Sequence, residues 1–209
     1  MAEHRWPATL ATAAIAAITW ATREMAMGPR WLLPTIEIAM LLTVVLANPV
    51  RVGRPSPLLR SLELSLLALA AVVISLSIAR VLGQIWTAPV RADGRHLLLS
   101  GAAIWVTDVL LFALTYWHVD RGGPSARAFG GQRYPDILFP QMSEEELCPP
   151  GWEPRLGDYL YLSFTNAAGF GPADTVPLAQ YAKFLMMLQA ASSLVIVVLV
   201  VSRAVNILT

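Results

Sequence analysis

The chain has 209 residues, of which 56% are hydrophobic and 14% are charged, and its formal net charge is +1. Because a soluble domain carries roughly 25% charged residues, this composition excludes an ordinary soluble protein and predicts an integral membrane protein with several transmembrane helices. The small net charge and scattered basic residues argue against a nucleic-acid partner, and the single cysteine, Cys148, excludes an internal disulfide and a cysteine metal cluster.

Three apolar segments in the first half of the chain are predicted transmembrane helices. The first, residues 8–22, lacks a small-residue cleavage site, so we interpret it as a retained short helix rather than a signal peptide. The second, residues 31–48, has the length of a span of about twenty residues, and Glu37 lies near its second turn. The third extends over residues 58–85, with its start at position 58 or 62.

A fourth apolar segment, residues 97–117, has Asp108 at its middle. A carboxylate inside a span is costly and usually faces the protein interior or water. Two interpretations are open for Asp108 and for Glu37: a proton or cation site, or a structural acid that fixes helix packing. The structural partners expected for Asp108 are Arg80, Glu63 or a Ser or Thr hydroxyl.

A long connection, residues 119–157, follows the fourth segment. It is rich in proline and glycine, contains the acidic run 144–146 and lacks an apolar period, which predicts an ordered cap or a loop rather than another span. His118 and Asp120 at its start are interpreted as interfacial groups rather than a pH-sensing or metal pair. With this connection outside the cell, the inner short loops hold a small excess of arginine, as the positive-inside rule expects.

Residues 158–178 form an aromatic-rich run that is too short and too polar to cross a bilayer, and an apolar helix candidate lies on each side of it. Asp158 is suited to cap a helix, which predicts a short helix over residues 159–166 followed by irregular backbone. Such backbone is tolerated at membrane depth only where protein or a water-filled cavity satisfies it. We therefore predict that the run enters the membrane and returns beside a pore. The alternative is an extended strand or interfacial helix over residues 159–164 that ends in a simple turn.

The run ends in Gly-Phe-Gly, residues 169–171, and then in Asp-x-x-Pro, residues 174–177. A span, a long connection, a short aromatic helix, this motif and a final apolar span together resemble the pore module of the potassium-channel superfamily. Its filter contains Gly-Tyr-Gly or Gly-Phe-Gly, commonly followed by Asp-x-x-Pro, and residues 172–173 are an insertion relative to that pattern. The motif match covers residues 163–177, and the layout covers about the last 110 residues.

The match is poorer upstream of the glycines. Ala167 and Ala168 stand where the family has Thr and then Val or Ile, so the hydroxyl that completes the innermost ion site is missing. Thr165 and Asn166 offer side-chain oxygens close by. This departure leaves the ion preference undetermined by the sequence.

The resemblance implies an all-α integral membrane fold of about five transmembrane helices, with a re-entrant pore helix and filter loop before the last helix. Residues 1–96 would form the N-terminal transmembrane helices, and residues 97–209 the pore-like module. Within that module, the extracellular loop would be residues 119–157, the pore helix and filter residues 158–178, and the inner helix residues 180–208.

The resemblance also implies roles for particular residues. Backbone carbonyls would replace the water around a monovalent cation, because glycine allows the dihedral angles that direct them at the ion. The implied filter residues are Thr165, Asn166, Ala167, Ala168, Gly169, Phe170 and Gly171. The implied carbonyl ligands belong to Ala167, Ala168, Gly169 and Phe170. The outer-mouth acid would be Asp174, and the inner cavity would be lined by Gln189, Ser192 and Ser193.

Since each chain supplies one loop, a filter requires a closed ring, and the family implies a homotetramer in lipid. The expected function is passage of potassium or another monovalent cation through a multi-pass protein of a bacterial cell membrane, without a cofactor and without enzyme activity. A second interpretation is a non-conducting scaffold or accessory subunit that binds a partner through residues 119–157. A third is a proton-linked transporter that uses Asp108 and Glu37.

Overall fold

A computed structural model describes most of the chain, and the described residues are mostly helical. They are residues 6–21, 35, 38–39, 57–87, 94–128, 134–143, 146, 148–169, 171 and 174–208. In chain order the elements are α1 (Trp6–Ala21), α2 (Pro57–Thr87), α3 (Gly94–Val119), a 3-10 turn (Asp120–Gly122), α4 (Pro124–Ala128), β1 (Ile137–Leu138), α5 (Pro140–Ser143), α6 (Leu156–Ala167), β2 (Val176–Pro177) and α7 (Gln180–Leu208).

Four of the predicted apolar helices are present. Helices α2 and α3 cover the third and fourth predicted segments, α1 matches the first up to its last described residue, Ala21, and α7 has the predicted bounds. Two helices in the described part of the chain, Leu98–Gly122 and Gln180–Val198, are long and apolar enough to cross a bilayer, and α1 is a shorter apolar helix. The predicted second helix, residues 31–48 with Glu37, lies outside the described residues except at three positions. The five-span arrangement therefore stays a prediction.

Helix α3 is the centre of the fold and packs against α1, α2, α6 and α7. Its side chains Leu114, Tyr116 and Trp117 are fully buried among these neighbours. Helix α7 approaches it closely, because a Cβ atom at Gly101 would collide with the side chain of Val200. A glycine at such a contact lets two helix backbones approach each other.

Helix α6 begins at Leu156, earlier than the predicted start at Tyr159. Asp158 is not the capping residue but the third residue of the helix, and its carboxylate accepts a hydrogen bond from the Arg155 backbone N–H at 2.7 Å. This is the acidic half of a capping box, which stabilises a helix start from inside the first turn. The predicted short helix is therefore confirmed, its predicted start is wrong, and the extended strand over residues 159–164 is also wrong.

The connection between α3 and α6 is ordered over its described residues. Strand β1 pairs antiparallel with β2, with Ile137 opposite Pro177 and Leu138 opposite Val176. Because β1 lies in the connection and β2 directly precedes α7, this pairing joins the connection to the segment that follows α6. Of the two predicted forms, the described residues take the ordered one.

A sharp turn ends α3 and directs the chain back over the end of this helix. Arg121, Gly122 and Gly123 adopt positive φ angles of 50°, 80° and 94°. At Gly123 an added Cβ would lie 2.8 Å from the carbonyl oxygen of His118. Glycine is thus required at this position both for its backbone conformation and for the close approach.

Candidate functional site

Hydrogen bonds to α3 define the direction of α6. The Tyr159 hydroxyl donates to Asp120 Oδ2 at 2.6 Å, and the Ser163 hydroxyl donates to the Val109 carbonyl at 2.7 Å. From Asp120 back to Val109 is roughly 16 Å along α3 at the helical rise per residue. Helix α6 therefore runs antiparallel to α3, from the C-terminal end of α3 toward its middle.

The C-terminal end of α6 lies beside the middle of α7. The Ala167 carbonyl accepts a hydrogen bond from Ser193 Oγ at 2.6 Å, and Ser193 is about 20 Å along α7 from its first residue. The start of α7 is instead near the end of α3, since the Tyr181 hydroxyl donates to the Val119 carbonyl at 3.4 Å. Residues 168–179 must therefore return the chain to the end from which α6 began.

Gln189 on α7 is the centre of a buried polar network. Its Nε2 donates to the carbonyl and the hydroxyl of Ser163 at 2.9 and 2.7 Å. Its Oε1 accepts from the Tyr116 hydroxyl at 2.7 Å and from Asn166 Nδ2 at 2.9 Å. Both donors and both acceptor positions of this amide are thus used. Asn166 Nδ2 also donates to the Met186 carbonyl at 3.0 Å, so α6, α3 and α7 are joined at one point.

A second polar contact fixes the last turn of α6. Ser193 Oγ, which donates to the Ala167 carbonyl, also accepts a hydrogen bond from Trp105 Nε1 at 2.8 Å. The Trp105 ring packs edge-on against Phe164, with ring centroids 5.6 Å apart. These contacts hold the C-terminal end of α6 against both long helices.

The first three implied filter residues lie inside α6. Thr165, Asn166 and Ala167 are helical, and the Thr165 hydroxyl donates back to the Tyr161 carbonyl at 2.9 Å. The Ala167 carbonyl, one of the implied ion ligands, is already bound by Ser193 within the chain. The structure thus places these residues at the end of a helix, whereas the resemblance implies an extended filter.

The remaining implied filter residues follow the helix. Ala168 still has helical angles and donates its N–H to the Phe164 carbonyl at 2.9 Å. Gly169 and Gly171 have positive φ angles of 78° and 60°, and both are exposed. An added Cβ at either glycine would meet open space. Phe170 lies outside the described residues.

The implied cavity-lining residues have their polar atoms bound within the chain. Gln189 and Ser193 are fully buried and bind α6, and the partly buried Ser192 binds Asp108 on α3. Their role in lining a cavity of an assembly stays a prediction. Asp174, the implied outer-mouth acid, is exposed in the returning segment.

Asp108 is buried at the middle of α3, where Ser192 Oγ donates to its Oδ1 at 2.9 Å. Of the expected structural partners, the hydroxyl is therefore the one observed. Glu63 instead lies 3.3 Å from His118 Nε2, while His118 Nδ1 is 2.9 Å from the carbonyl oxygen of Leu114. Glu63, another of the three expected partners, lies against His118, and the Arg80 side chain lies outside the described residues.

Asp120 joins the end of α3 to β1 and to α6. Its Oδ2 accepts from the Tyr159 hydroxyl, and its Oδ1 accepts from the backbone N–H groups of Asp136 and Ile137 at 3.0 and 3.3 Å. Its full burial and its hydrogen-bonded oxygens give it a structural role, and its position relative to the bilayer interface stays a prediction. Burial raises the pKa of the Tyr159 phenol above its ordinary value, which keeps the hydroxyl protonated as a donor.

Arg127, on α4, covers this junction. Its Nη1 donates to the carbonyls of Trp117 and Asp120, both at 2.8 Å. Its guanidinium lies 5.4 Å from the ring centroid of Tyr159 and 6.0 Å from that of Trp117, within the range of cation–π attraction. The start of α6 is therefore held against the end of α3 by both Asp120 and Arg127.

Sequence reasoning did not identify Ser163, Tyr116 or Trp105 as members of this site. A signal was present in α6, because Ser163 and Asn166 are three residues apart and share one helix face. Trp105 and Tyr116 carry polar groups that need partners when buried, but the sequence does not say which partners they find.

No protein-family model, curated protein or solved structure matches this chain. Within the described residues, no group of three or more His, Cys, Asp or Glu side chains could hold a metal ion. The functional interpretation therefore depends on the geometry of α3, α6 and α7 themselves.

Proposed function

We propose that this chain is a multi-pass membrane protein in which α6 and the segment after it form a re-entrant pore loop, and that a ring of copies passes monovalent cations. The observation that carries the proposal is the path of α6. It enters beside two helices that are long enough to span a bilayer, ends halfway along them, and is followed by exposed glycines with positive φ.

The dimensions of α6 support a re-entrant position. Its 12 residues extend about 18 Å, against a hydrocarbon core of about 30 Å, so it is too short to cross. Backbone groups at that depth need partners, and Ala167 receives one from Ser193 while Phe164 receives one from Ala168. The negative end of the helix dipole is directed at the returning loop, where it would favour a cation.

An apolar surface supports assembly in a membrane. Aromatic and aliphatic side chains of α6 and α7 are exposed on the single chain, where lipid or neighbouring copies would cover them. They include Leu160, Tyr161, Phe164, Phe184, Met187 and Leu188. A filter needs one loop from each of several copies, so the ring proposed here is a homotetramer, and potassium is the first ion to test.

The test is potassium and sodium flux through purified protein in liposomes, with Gly169→Ala compared with Gly151→Ala. The two glycines have similar φ angles, 78° and 73°, and an added Cβ would meet open space at both. Alanine in this conformation costs about 1–2 kcal/mol at either position, so the loss of stability is matched. We expect flux to fall in Gly169→Ala and to persist in Gly151→Ala.

Two outcomes would contradict the proposal. One is an intact oligomer whose wild-type flux does not exceed that of empty vesicles. The other is equal flux in the two alanine variants. A monomer or dimer that tolerates Gly169→Ala would instead support a non-conducting accessory subunit.

A further inference from the structure

Asp108 is a buried carboxyl group whose two oxygens differ in their surroundings. Its exposed fraction is 1%, and Oδ1 accepts a hydrogen bond from the Ser192 hydroxyl. Oδ2 is also buried and has no hydrogen-bond partner among the described residues. Asp120, which is as deeply buried, has both of its oxygens hydrogen-bonded. Asp108 therefore lacks the hydrogen bonds that would stabilise a permanently ionised carboxylate.

The cations described near α3 lie at its C-terminal end, where two are paired with acids and Arg127 donates to the carbonyls of Trp117 and Asp120. His118 lies against Glu63 on α2, and Arg121 pairs with Glu153 at 2.6 Å. Arg60, on α2, is exposed near the start of that helix. None of these groups is placed to neutralise Asp108.

On the remaining helices around Asp108, no described cation lies beside it. Helix α1 contains no charged residue. On α6 the acid is Asp158, in the first turn, and on α7 Lys183 is exposed near the start. Tyr116 on α3 interacts electrostatically with Asp108, but its hydroxyl donates to Gln189.

An ionised carboxylate buried without a cation is strongly disfavoured, whereas a protonated carboxyl group is far less so. We propose that Asp108 is a proton-binding site, in which Oδ2 takes up a proton from water and the carboxylate becomes a neutral carboxyl group. Ser192, which covers Oδ1, is itself only partly buried, so the site lies near the surface of the single chain.

Ser192 would transmit the charge of Asp108 to the α6 contact. Its hydroxyl has one hydrogen and two acceptors within reach, Asp108 Oδ1 and the Gln189 carbonyl, both at 2.9 Å. A carboxylate is the stronger acceptor, so the hydrogen points at Asp108 when it is ionised and at Gln189 when it is protonated. Gln189 and Ser193, on either side, hold α6, so proton binding would regulate the pore loop if the proposed function holds.

The experiment is infrared difference spectroscopy of the purified wild-type protein between mildly alkaline and mildly acidic buffer, which requires no flux. We expect a protonated carboxyl band to appear on acidification, to be lost in Asp108→Asn and to persist in Glu63→Gln. Circular dichroism checks that each variant keeps its helices. In Ser192→Ala the band should appear at higher pH, because the carboxylate loses its hydrogen bond.

The same variants in liposomes separate the two proposals. If both hold, cation flux changes with pH in the wild type and not in Asp108→Asn. A band that is lost in Asp108→Asn while the wild type carries no flux supports the proton site and overturns only the channel. A band that persists in Asp108→Asn, or that never appears in the wild type, overturns the proton site whether or not the protein conducts.

Discussion

At the scale of residues, Gln189 makes three hydrogen bonds to α6, more than any other described residue of the two long helices. In Gln189→Leu the volume is similar, but Ser163, Tyr116 and Asn166 lose buried partners. Each unsatisfied buried group costs about 1–3 kcal/mol, so we expect a large fall in the thermal unfolding midpoint in detergent. Gln180→Leu, at an exposed position of the same helix, is the control, and equal midpoints for the two variants would contradict this role.

The polar residues of α7 could be identified from the sequence, but not their partners. Gln189, Ser192 and Ser193 interrupt an apolar run, and polar side chains there usually face protein or water. One partner of Gln189 is Ser163, which is 26 residues earlier in the chain. That contact depends on how α6 docks against α3 and α7, and no local pattern encodes the docking.

At the scale of elements, α6 is fixed at both ends, and Tyr159 fixes its start. In Tyr159→Phe the buried Asp120 loses the hydrogen bond to its Oδ2. We expect a loss of about 1–3 kcal/mol in the free energy of unfolding, measured by thermal denaturation. Tyr161→Phe is the control because that side chain is 60% exposed on the same helix. If Tyr161→Phe were as destabilising as Tyr159→Phe, the docking of α6 through the Tyr159–Asp120 hydrogen bond would be wrong.

The long helices could be predicted and the short elements could not. Helix α7 has its predicted bounds because a long apolar run begins after the Pro-containing turn and continues to the end. The start of α6 was missed because Asp158 acts from the third helical position and not from the capping position. Strands β1 and β2 have two residues each, too few to show an alternating pattern.

At the scale of the whole molecule, α3, α6 and α7 form one unit, and the connection between α3 and α6 closes it at one end. The connection is joined to the segment before α7 by the β1–β2 pair and to α6 by Asp120 and Arg127. This arrangement leaves the returning segment with Gly169, Gly171 and Asp174 exposed. The proposed pore requires that copies of this segment converge on one axis.

The most direct test measures distances between copies by electron spin resonance, with a spin label at Asp174→Cys in a Cys148→Ser background. Four copies around one axis give two distances, adjacent and diagonal, and the second is longer than the first by the ratio of a square's diagonal to its side. For the proposed tetrameric pore we expect this pair of distances in liposomes. A single distance, or no measurable distance in protein that is folded and labelled, would contradict it.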